Sequence, residues 1–245
     1  MTHKNTFFIR FSICIALFVA ILCLIIIFFV PKSSDTQVDN QEVHPTPTVI
    51  IDAGHGGEDG GTQSADGTLE KDLNLDIALR LAKLFEDKGI NVILTRDTDT
   101  LLYDRNTDYK GRKKLLDAEA RLKIADDNPD AIFISIHQNA YKDPQYSGLQ
   151  VWYSGNNAES LHLAEAIQSG VKSKLQTENN RAVKFSGNNV YIMQHIKNPA
   201  ILVECGFLSN PSEAKKLSDP SYRQNLSQVI CDSTLEYINN NASAN

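Results

Sequence analysis

The chain has 245 residues, of which 42% are hydrophobic and 22% are charged, and its formal net charge is −6. Because Lys4 and Arg10 are the only charged residues among the first 30, the remaining 215 residues carry a net charge of −8. This composition excludes an intrinsically disordered chain, and an acidic body does not suit the binding of nucleic-acid phosphates. The sequence divides into an apolar N-terminal segment and an acidic body whose size fits one well-filled core.

The N-terminal segment predicts a membrane helix. Residues 11–30 contain no charged side chain, and about 20 apolar residues suffice to cross the hydrocarbon core of a bilayer. The run ends without the small residues of a signal-peptidase site, which favours an uncleaved signal anchor over a removed signal peptide. Lys4 and Arg10 precede the run, which favours a cytoplasmic N terminus. We therefore expect residues 1–30 to anchor the body on the extracytoplasmic face of a membrane, with secretion after cleavage as the alternative.

The rest of the chain is expected to form a linker, one domain and a tail. Residues 31–47 predict a flexible linker, because they mix polar residues and prolines without periodicity. The domain is expected over residues 48–240 and a disordered tail over 241–245. Cys205 and Cys231 are the two cysteines of the domain. They are expected to be buried free thiols, with one disulfide as the alternative outside the cytoplasm.

Within the domain, apolar strands alternate with amphipathic helices. Five apolar runs predict strands, at 48–52, 90–96, 131–137, 149–153 and 200–205. Apolar residues spaced three or four apart predict helices around 69–85, 115–125, 164–175 and 222–237. Such alternation is typical of a sheet covered on both faces. We therefore expect one α/β domain with a mostly parallel central sheet and helices on both faces, preceded by the transmembrane helix.

Polar residues lie where a ligand site is expected, since ligands bind outside the carboxyl ends of strands in open α/β sheets. His55 follows the first strand, His137 ends the third, and Glu204 lies near the end of the last. Glu70 opens the first helix and can return to the same edge. The glycine-rich segment 54–61 matches neither a P-loop nor a dinucleotide fingerprint. Its glycines are therefore expected to shape the turn that aims His55.

These four residues suit metal-dependent hydrolysis. Two imidazoles and a carboxylate, from His55, His137 and Glu70, make a tetrahedral zinc set that leaves one position open for water. Such a site keeps a net positive charge, which lowers the pKa of bound water. Glu204 interrupts an apolar run, so burial should raise its pKa and suit it to act as a general base. Taken singly, each residue also has an ordinary structural role, and the pattern alone leaves the two interpretations evenly balanced.

Several motifs occur in order along the domain. They are IDAGHGG at 51–57, LEKDLNL at 69–75, LTR at 94–96, Arg121 with its helix, SIHQNA at 135–140 and PAILVECGFLSN at 199–210. Together they resemble the zinc-dependent N-acetylmuramoyl-L-alanine amidases of bacterial cell-wall metabolism, the type 3 family. Two departures are visible. Ala53 stands where many members have Pro, and Cys205 where many have an aliphatic residue, but strand alternation should point Cys205 away from Glu204.

The resemblance implies both the site and the reaction. It implies that His55, Glu70 and His137 bind Zn²⁺ and that Glu204 is the catalytic carboxylate. The implied reaction is hydrolysis, by a zinc-activated water, of the amide between N-acetylmuramic acid and L-alanine of the peptidoglycan stem peptide.

Within the family, the chain is similar to the membrane-anchored spore-type amidase of endospore-forming bacteria. Both have a single N-terminal membrane segment and no wall-binding repeats. The basic stretch 109–114 also fits this group, although a solvated helix start is the simpler explanation. This likeness implies a role in spore cortex maturation and germination, in which removal of stem peptides allows muramic-δ-lactam to form. It further implies a location between the forespore membranes and, as in some members, a lipoprotein activator.

Two other functions fit parts of the pattern. A zinc carboxypeptidase acting on wall peptides would need an arginine for the terminal carboxylate, and Arg96 and Arg121 are the candidates. A non-catalytic peptidoglycan-binding scaffold would not need Glu204 beside a complete ligand set. His162, predicted on a polar helix face, and His195, predicted in a loop, are alternative ligands that we expect to be structural instead.

Overall fold

The computed structural model describes Ile21, residues 46–106 and residues 109–242. The predicted anchor (residues 1–30) and linker (31–47) therefore lie outside the described residues, apart from Ile21 and the last two linker positions. Within the described part of the chain, no helix combines the length and the apolar character that a membrane span requires. The anchor, and the location that depends on it, stay predictions.

Among the described residues, six strands form one central sheet. They are β1 (Thr48–Ala53), β2 (Asn91–Leu94), β3 (Ile132–Asn139), β4 (Gln150–Tyr153), β5 (Lys184–Phe185) and β6 (Ala200–Phe207). Their order across the sheet is β2-β1-β3-β6-β4-β5. Every neighbouring pair is parallel except β4 and β6, which are antiparallel. The predicted mostly parallel sheet is confirmed, whereas β5 was not predicted because two residues leave no periodic signal.

Six helices follow in the described residues from 46 onward. They are α1 (Glu70–Glu86), α2 (Lys113–Asp126), α3 (Glu159–Lys174), α4 (Tyr191–His195), α5 (Pro211–Ser218) and α6 (Pro220–Ala242). Four of them correspond to the predicted helices, whereas α4 and α5 were not predicted because one or two turns leave little periodicity. His195 ends α4 instead of lying in a loop. Helix α6 continues through residues 241–242, which were assigned to the tail, and residues 243–245 lie outside the described residues.

The sheet separates two apolar cores. On β1, Val49 and Ile51 pack with residues of α1, α3 and α6, whereas Ile50 packs with residues of α2 and α4. Because successive side chains of a strand point to opposite faces, a strand covered on both sides is apolar throughout. The predicted helices on both faces are thus confirmed. Cys205 and Cys231 belong to the first core and are buried free thiols, as predicted.

Replacing Phe133 by Ala is expected to lower the free energy of unfolding by about 3–5 kcal/mol. Its ring is fully buried in the core beneath α2 and α4, so truncation leaves a cavity. Denaturant unfolding measures the change. Phe185 is 55% exposed and provides a matched control, at which the same truncation should cost less than about 1 kcal/mol. Equal losses at the two positions would contradict this description of the core.

Candidate metal centre

Four residues form a row across the carboxyl end of the sheet. His137 of β3 and Glu204 of β6 are register partners, and Glu204 also lies opposite Gln150 of β4. Gly54 follows β1 on the other side of His137. A Cβ atom at Gly54 would lie 2.3 Å from the His137 ring, so the missing side chain makes room for the imidazole. The strand register itself places His137 beside Glu204.

His55, Glu70 and His137 converge on one point. Their donor atoms all lie within 4.8 Å of one another. The Oε1 atom of Glu70 lies 3.0 Å from Nδ1 of His137 and 3.3 Å from Nε2 of His55. Two imidazoles and one carboxylate at this spacing match the donor chemistry of a metal site. The residues present therefore fit a divalent metal ion.

Glu70 is held as a carboxylate at the first position of α1. The backbone N–H groups of Thr62 and Gln138 donate to its two oxygens at 2.8 and 3.0 Å. Burial alone would raise the pKa of Glu70, but hydrogen bonds with His137 and His55 outweigh it and hold that pKa well below its usual value. An ionised carboxylate is the form that a metal ligand requires.

His55 lies in a turn that its sequence makes sharp. Its backbone is in the left-handed region, with φ at 61°, which is uncommon for a residue other than glycine. Nδ1 of His55 lies 2.9 Å from Oδ2 of Asp59, and Nε2 faces Glu70. Burial would lower the pKa of His55, but Glu70 and Asp59 raise it above its usual value. A carboxylate partner of this kind orients the ring of a metal-binding histidine.

Two buried arginines fix the backbone of this turn. Arg96 donates to the carbonyl oxygens of Ala53 and Gly54 at 2.8 and 3.0 Å. Arg121 donates to the carbonyl oxygens of Ala53 and His55 at 2.8 and 2.9 Å. Three successive carbonyl groups are therefore held by two guanidinium groups, which keeps His55 in its unusual conformation.

Buried carboxylates balance the charge of Arg121. It contacts Asp52 and also pairs with Asp117, whose Oδ2 is 2.7 Å away. Burial would raise the pKa of Asp52, but Arg121 and a hydrogen bond from Ser135 lower it below its usual value. Arg96 and Arg121 are buried, and their guanidinium groups donate hydrogen bonds to carbonyl oxygens of the chain itself. Neither is therefore placed to hold a substrate carboxylate, as the carboxypeptidase hypothesis requires.

Glu204 has one enclosed oxygen that is not used structurally. Its Oε2 atom is buried and has no hydrogen-bond partner among the described residues. Burial raises the pKa of Glu204 from its ordinary 4.5 to about 7, an effect that the nearby His137 opposes and Glu70 reinforces. A carboxyl group that titrates near neutral pH beside His137 is suited to proton transfer.

The two alternative histidines lie elsewhere. The side chain of His162 on α3 is 61% exposed, and its Nδ1 is 3.6 Å from Glu159. Nδ1 of His195 lies 2.8 Å from the carbonyl oxygen of Tyr191. Neither histidine joins the cluster of His55.

The basic stretch 109–114 meets the same turn. Nζ of Lys113 lies 2.8 Å from Oε1 of Glu58, and Nζ of Lys114 lies 2.9 Å from Oδ1 of Asp59. Lys113 begins α2, so the stretch is a helix start as expected, but both lysines also have acidic partners. The contact of Lys114 therefore connects this stretch to Asp59, the residue that orients His55.

Two supporting residues were missed in the sequence. Asp59 holds His55, and Asn74 connects Glu70 to the sheet by donating to the Gly54 carbonyl oxygen at 3.1 Å. Asn74 lies one helical turn after Glu70, and this spacing places both on one face of α1. That signal could have identified Asn74. Asp59 lies in an irregular turn, where no periodicity indicates which way a side chain points.

Comparisons with known proteins identify similar sequences over most of the chain. The family described as N-acetylmuramoyl-L-alanine amidase matches residues 49–235. The germination-specific N-acetylmuramoyl-L-alanine amidase of Bacillus subtilis (strain 168) is 34% identical over 222 residues, which cover 89% of this chain and 92% of that protein. The family resemblance that the motifs predicted is confirmed.

Solved structures share the fold. The CwlD amidase from Clostridioides difficile, solved in complex with the GerS lipoprotein, is 36% identical with a TM-score of 0.75, covering 79% of this chain and 99% of that one. The amidase AmiC2 of Nostoc punctiforme is 29% identical with a TM-score of 0.68, covering 79% of this chain and 97% of that one. Both cover the α/β domain.

Replacing Gly61 by Ala is expected to weaken Zn²⁺ binding by about tenfold or more. A Cβ atom there would lie 2.5 Å from Oε2 of Glu70 and 2.8 Å from Cδ2 of His55. Gly67→Ala is the matched control, because both glycines have positive φ (68° and 92°) but the Gly67 position meets only Gln63, at 3.6 Å. Titration calorimetry compares the two. Equal weakening would assign the effect to backbone strain and contradict the placement of the donors.

In metal-free protein, Glu204→Gln is expected to stabilise the fold at alkaline pH. Because the folded-state pKa of about 7 exceeds the ordinary 4.5, the folded protein keeps a proton that the unfolded chain has released. The contribution of Glu204 to the free energy of unfolding therefore falls as the pH rises from about 4.5 to about 7. The advantage of the variant should grow over this window to about 3 kcal/mol.

Urea unfolding with a chelator, at about pH 5 and about pH 8, measures this difference. The same change at Glu165, which is exposed on α3, controls for the loss of a glutamate. An advantage of Glu204→Gln that is independent of pH would show that burial does not perturb the Glu204 carboxyl group.

Proposed function

Because the chain belongs to the N-acetylmuramoyl-L-alanine amidase family, we propose that it hydrolyses the amide bond between N-acetylmuramic acid and L-alanine of the peptidoglycan stem peptide. The observation that carries the proposal is the convergence of His55, Glu70 and His137 beside Glu204. The family supplies the identity of the bond. The site supplies a donor set for a metal ion and a carboxyl group that can carry a proton.

We propose Zn²⁺ as the metal and His55, Glu70 and His137 as the residues that would hold it. Two imidazole nitrogens and one carboxylate oxygen are a common zinc set that leaves a position open. When bound, the ion would supply a Lewis acid that activates water and polarises the amide carbonyl. Asp59 would keep the His55 ring oriented, and the amides of Thr62 and Gln138 would keep the Glu70 carboxylate in place.

Glu204 would transfer the proton. Its carboxylate would accept a proton from the attacking water and then donate it to the departing nitrogen of L-alanine. The two steps need one group that both accepts and releases a proton near neutral pH, and a pKa of about 7 meets that need. The register pairing with His137 places Glu204 one strand away from the donor cluster.

The alternative functions are less well supported. A carboxypeptidase would need Arg96 or Arg121 for the terminal carboxylate, but carbonyl and carboxylate oxygens of the chain occupy both side chains. A scaffold without catalysis has no use for an enclosed Glu204 oxygen without a hydrogen-bond partner, since buried polar atoms are ordinarily paired.

We extend the proposal to sporulation. Similarity to the germination-specific amidase supports a role in cortex maturation, where removal of stem peptides allows muramic-δ-lactam to form. The CwlD amidase was solved with the GerS lipoprotein, which supports a lipoprotein partner here. The predicted anchor at residues 1–30 would hold the domain between the forespore membranes.

The reaction is tested by digesting purified muropeptides with the full-length chain in detergent. With Zn²⁺ present, free stem peptides that begin with L-alanine are expected in the mass spectrum, and a chelator should abolish them. Peptides shortened at the carboxyl end would instead support the carboxypeptidase. Wall binding without any product would support the scaffold.

Replacing Glu204 by Gln is expected to reduce kcat by about a hundredfold or more while Zn²⁺ binding is retained. The amide keeps the size of the side chain but cannot carry the proton. His137→Ala is the contrasting variant, because it removes a metal donor and should lose both Zn²⁺ and turnover. Metal content is measured by elemental analysis beside the muropeptide assay. Loss of Zn²⁺ in Glu204→Gln would reassign Glu204 as a ligand.

A further inference from the structure

Arg181 lies beside Glu204 on the same face of the sheet. Its Nη2 atom donates to Oε1 of Gln150 at 2.7 Å, and Gln150 is the register partner of Glu204 in the antiparallel pair of β4 and β6. Residues that lie directly opposite in such a pair project on one face, with Cβ atoms about 5 Å apart. Because His137 is on the other side of Glu204, Arg181 lies beyond Glu204 from the metal donors.

The Arg181 side chain is held in place by groups that carry no charge. The guanidinium carbon is 4.8 Å from the centre of the Phe207 ring. Its Nε atom has no hydrogen-bond partner among the described residues. In the described part of the chain, Arg181 forms no ion pair with a carboxylate. An amide and an aromatic ring therefore orient this cation without supplying a counter-ion.

This arrangement differs from that of the two arginines in the turn. The guanidinium groups of Arg96 and Arg121 donate to carbonyl and carboxylate oxygens of the chain itself. Arg181 is partly exposed. Its positive charge lowers the pKa of Glu204, whereas burial raises it. A planar guanidinium with unused donors matches a carboxylate in geometry and charge. The side chain is therefore arranged to receive an anionic group from outside the chain.

The position of Glu204 indicates which half of the substrate reaches Arg181. Since Glu204 would protonate the departing nitrogen, L-alanine and the residues after it leave the site past Glu204 and toward β4. Neighbouring strands are about 4.8 Å apart, so His137 and Gln150 are separated by about 10 Å across the sheet.

The second residue of such a stem peptide, a glutamate joined through its side chain, has a free α-carboxylate. In an extended chain this carboxylate lies about 7 Å from the scissile carbonyl carbon. The Arg181 guanidinium lies at the Gln150 end of this span, where it donates to Oε1 of Gln150.

A groove continues from Arg181. It has a volume of about 740 Å³, and its lining includes Asn180, Asn210 and Lys216. The lining also includes Glu178 and Glu213, and its polar groups suit the amide groups of a peptide. Residues after the second position of the stem peptide therefore have a path along the protein surface.

We propose that Arg181 is a specificity-determining residue that binds the free α-carboxylate of the second stem-peptide residue. The inference rests on the proposed amidase function. This α-carboxylate would be the group that the enzyme recognises on the peptide side of the scissile bond. Stem peptides in which this carboxylate is amidated would be poorer substrates.

Two muropeptides that differ only at this group, α-carboxylate or α-carboxamide, test the proposal. The full-length wild-type chain should show a kcat/KM about 10–100-fold higher for the carboxylate, which corresponds to about 1.4–2.8 kcal/mol. Arg181→Gln should abolish the preference by raising KM for the carboxylate substrate, with little change for the carboxamide. Arg181→Lys should retain part of the preference, because it keeps the charge but not the planar fork. Lys172→Gln, on the exposed part of α3, removes one positive charge elsewhere and should leave the preference unchanged.

Other outcomes are distinguishable. Equal wild-type activity on both substrates, or a preference that survives Arg181→Gln, would overturn the role of Arg181 and leave the amidase function standing. Peptides shortened at the carboxyl end in an Arg181-dependent manner would overturn it in favour of terminal-carboxylate binding. Hydrolysis of neither substrate would overturn the proposed function, and this inference with it.

Discussion

The site depends on the hydrogen bonds that two buried arginines make to the backbone of the turn after β1. Arg96 and Arg121 hold three successive carbonyl groups, ending at His55. Without these bonds the polar backbone of a buried sharp turn would lack partners, and unpaired buried groups are costly. Because His55 is held by its backbone as well as by Asp59, its ring has little freedom. The proposed metal donor His55 is thus held in position by contacts within the chain itself.

The strand register of the central sheet positions the other residues of the site. Gly54, His137, Glu204 and Gln150 lie side by side across four strands, so the register of hydrogen bonding sets the spacing between the proposed metal donor His137, the proposed proton carrier Glu204 and the residue that contacts Arg181. A register is a collective property of many backbone bonds and resists local change. The separations between these residues are therefore set by the backbone hydrogen bonds of the central sheet.

The sequence was informative where a general rule of topology applies. The four principal site residues follow or end strands, or open a helix, and carboxyl ends of parallel strands meet at one edge. Asp59 and Arg181 escaped prediction because they act from irregular segments, whose path depends on tertiary contacts. The reversal of β4 escaped for another reason, since apolar periodicity indicates a strand but not its direction. Two-residue β5 and one-turn α4 are too short to leave any pattern.

Because β4 is antiparallel to β6, two kinds of segment reach the edge of the sheet where the site lies. Parallel strands β1, β3 and β6 bring to the site edge the residues at their own ends. Strands β4 and β5 run the other way, so they bring the segments that precede them, 140–149 and 175–183. Arg181 belongs to the second of these segments. Changes in length or sequence there would alter which peptides are accepted while the metal donors stay untouched. The fold thus keeps reactivity and selectivity on separate stretches of chain, which can diverge independently.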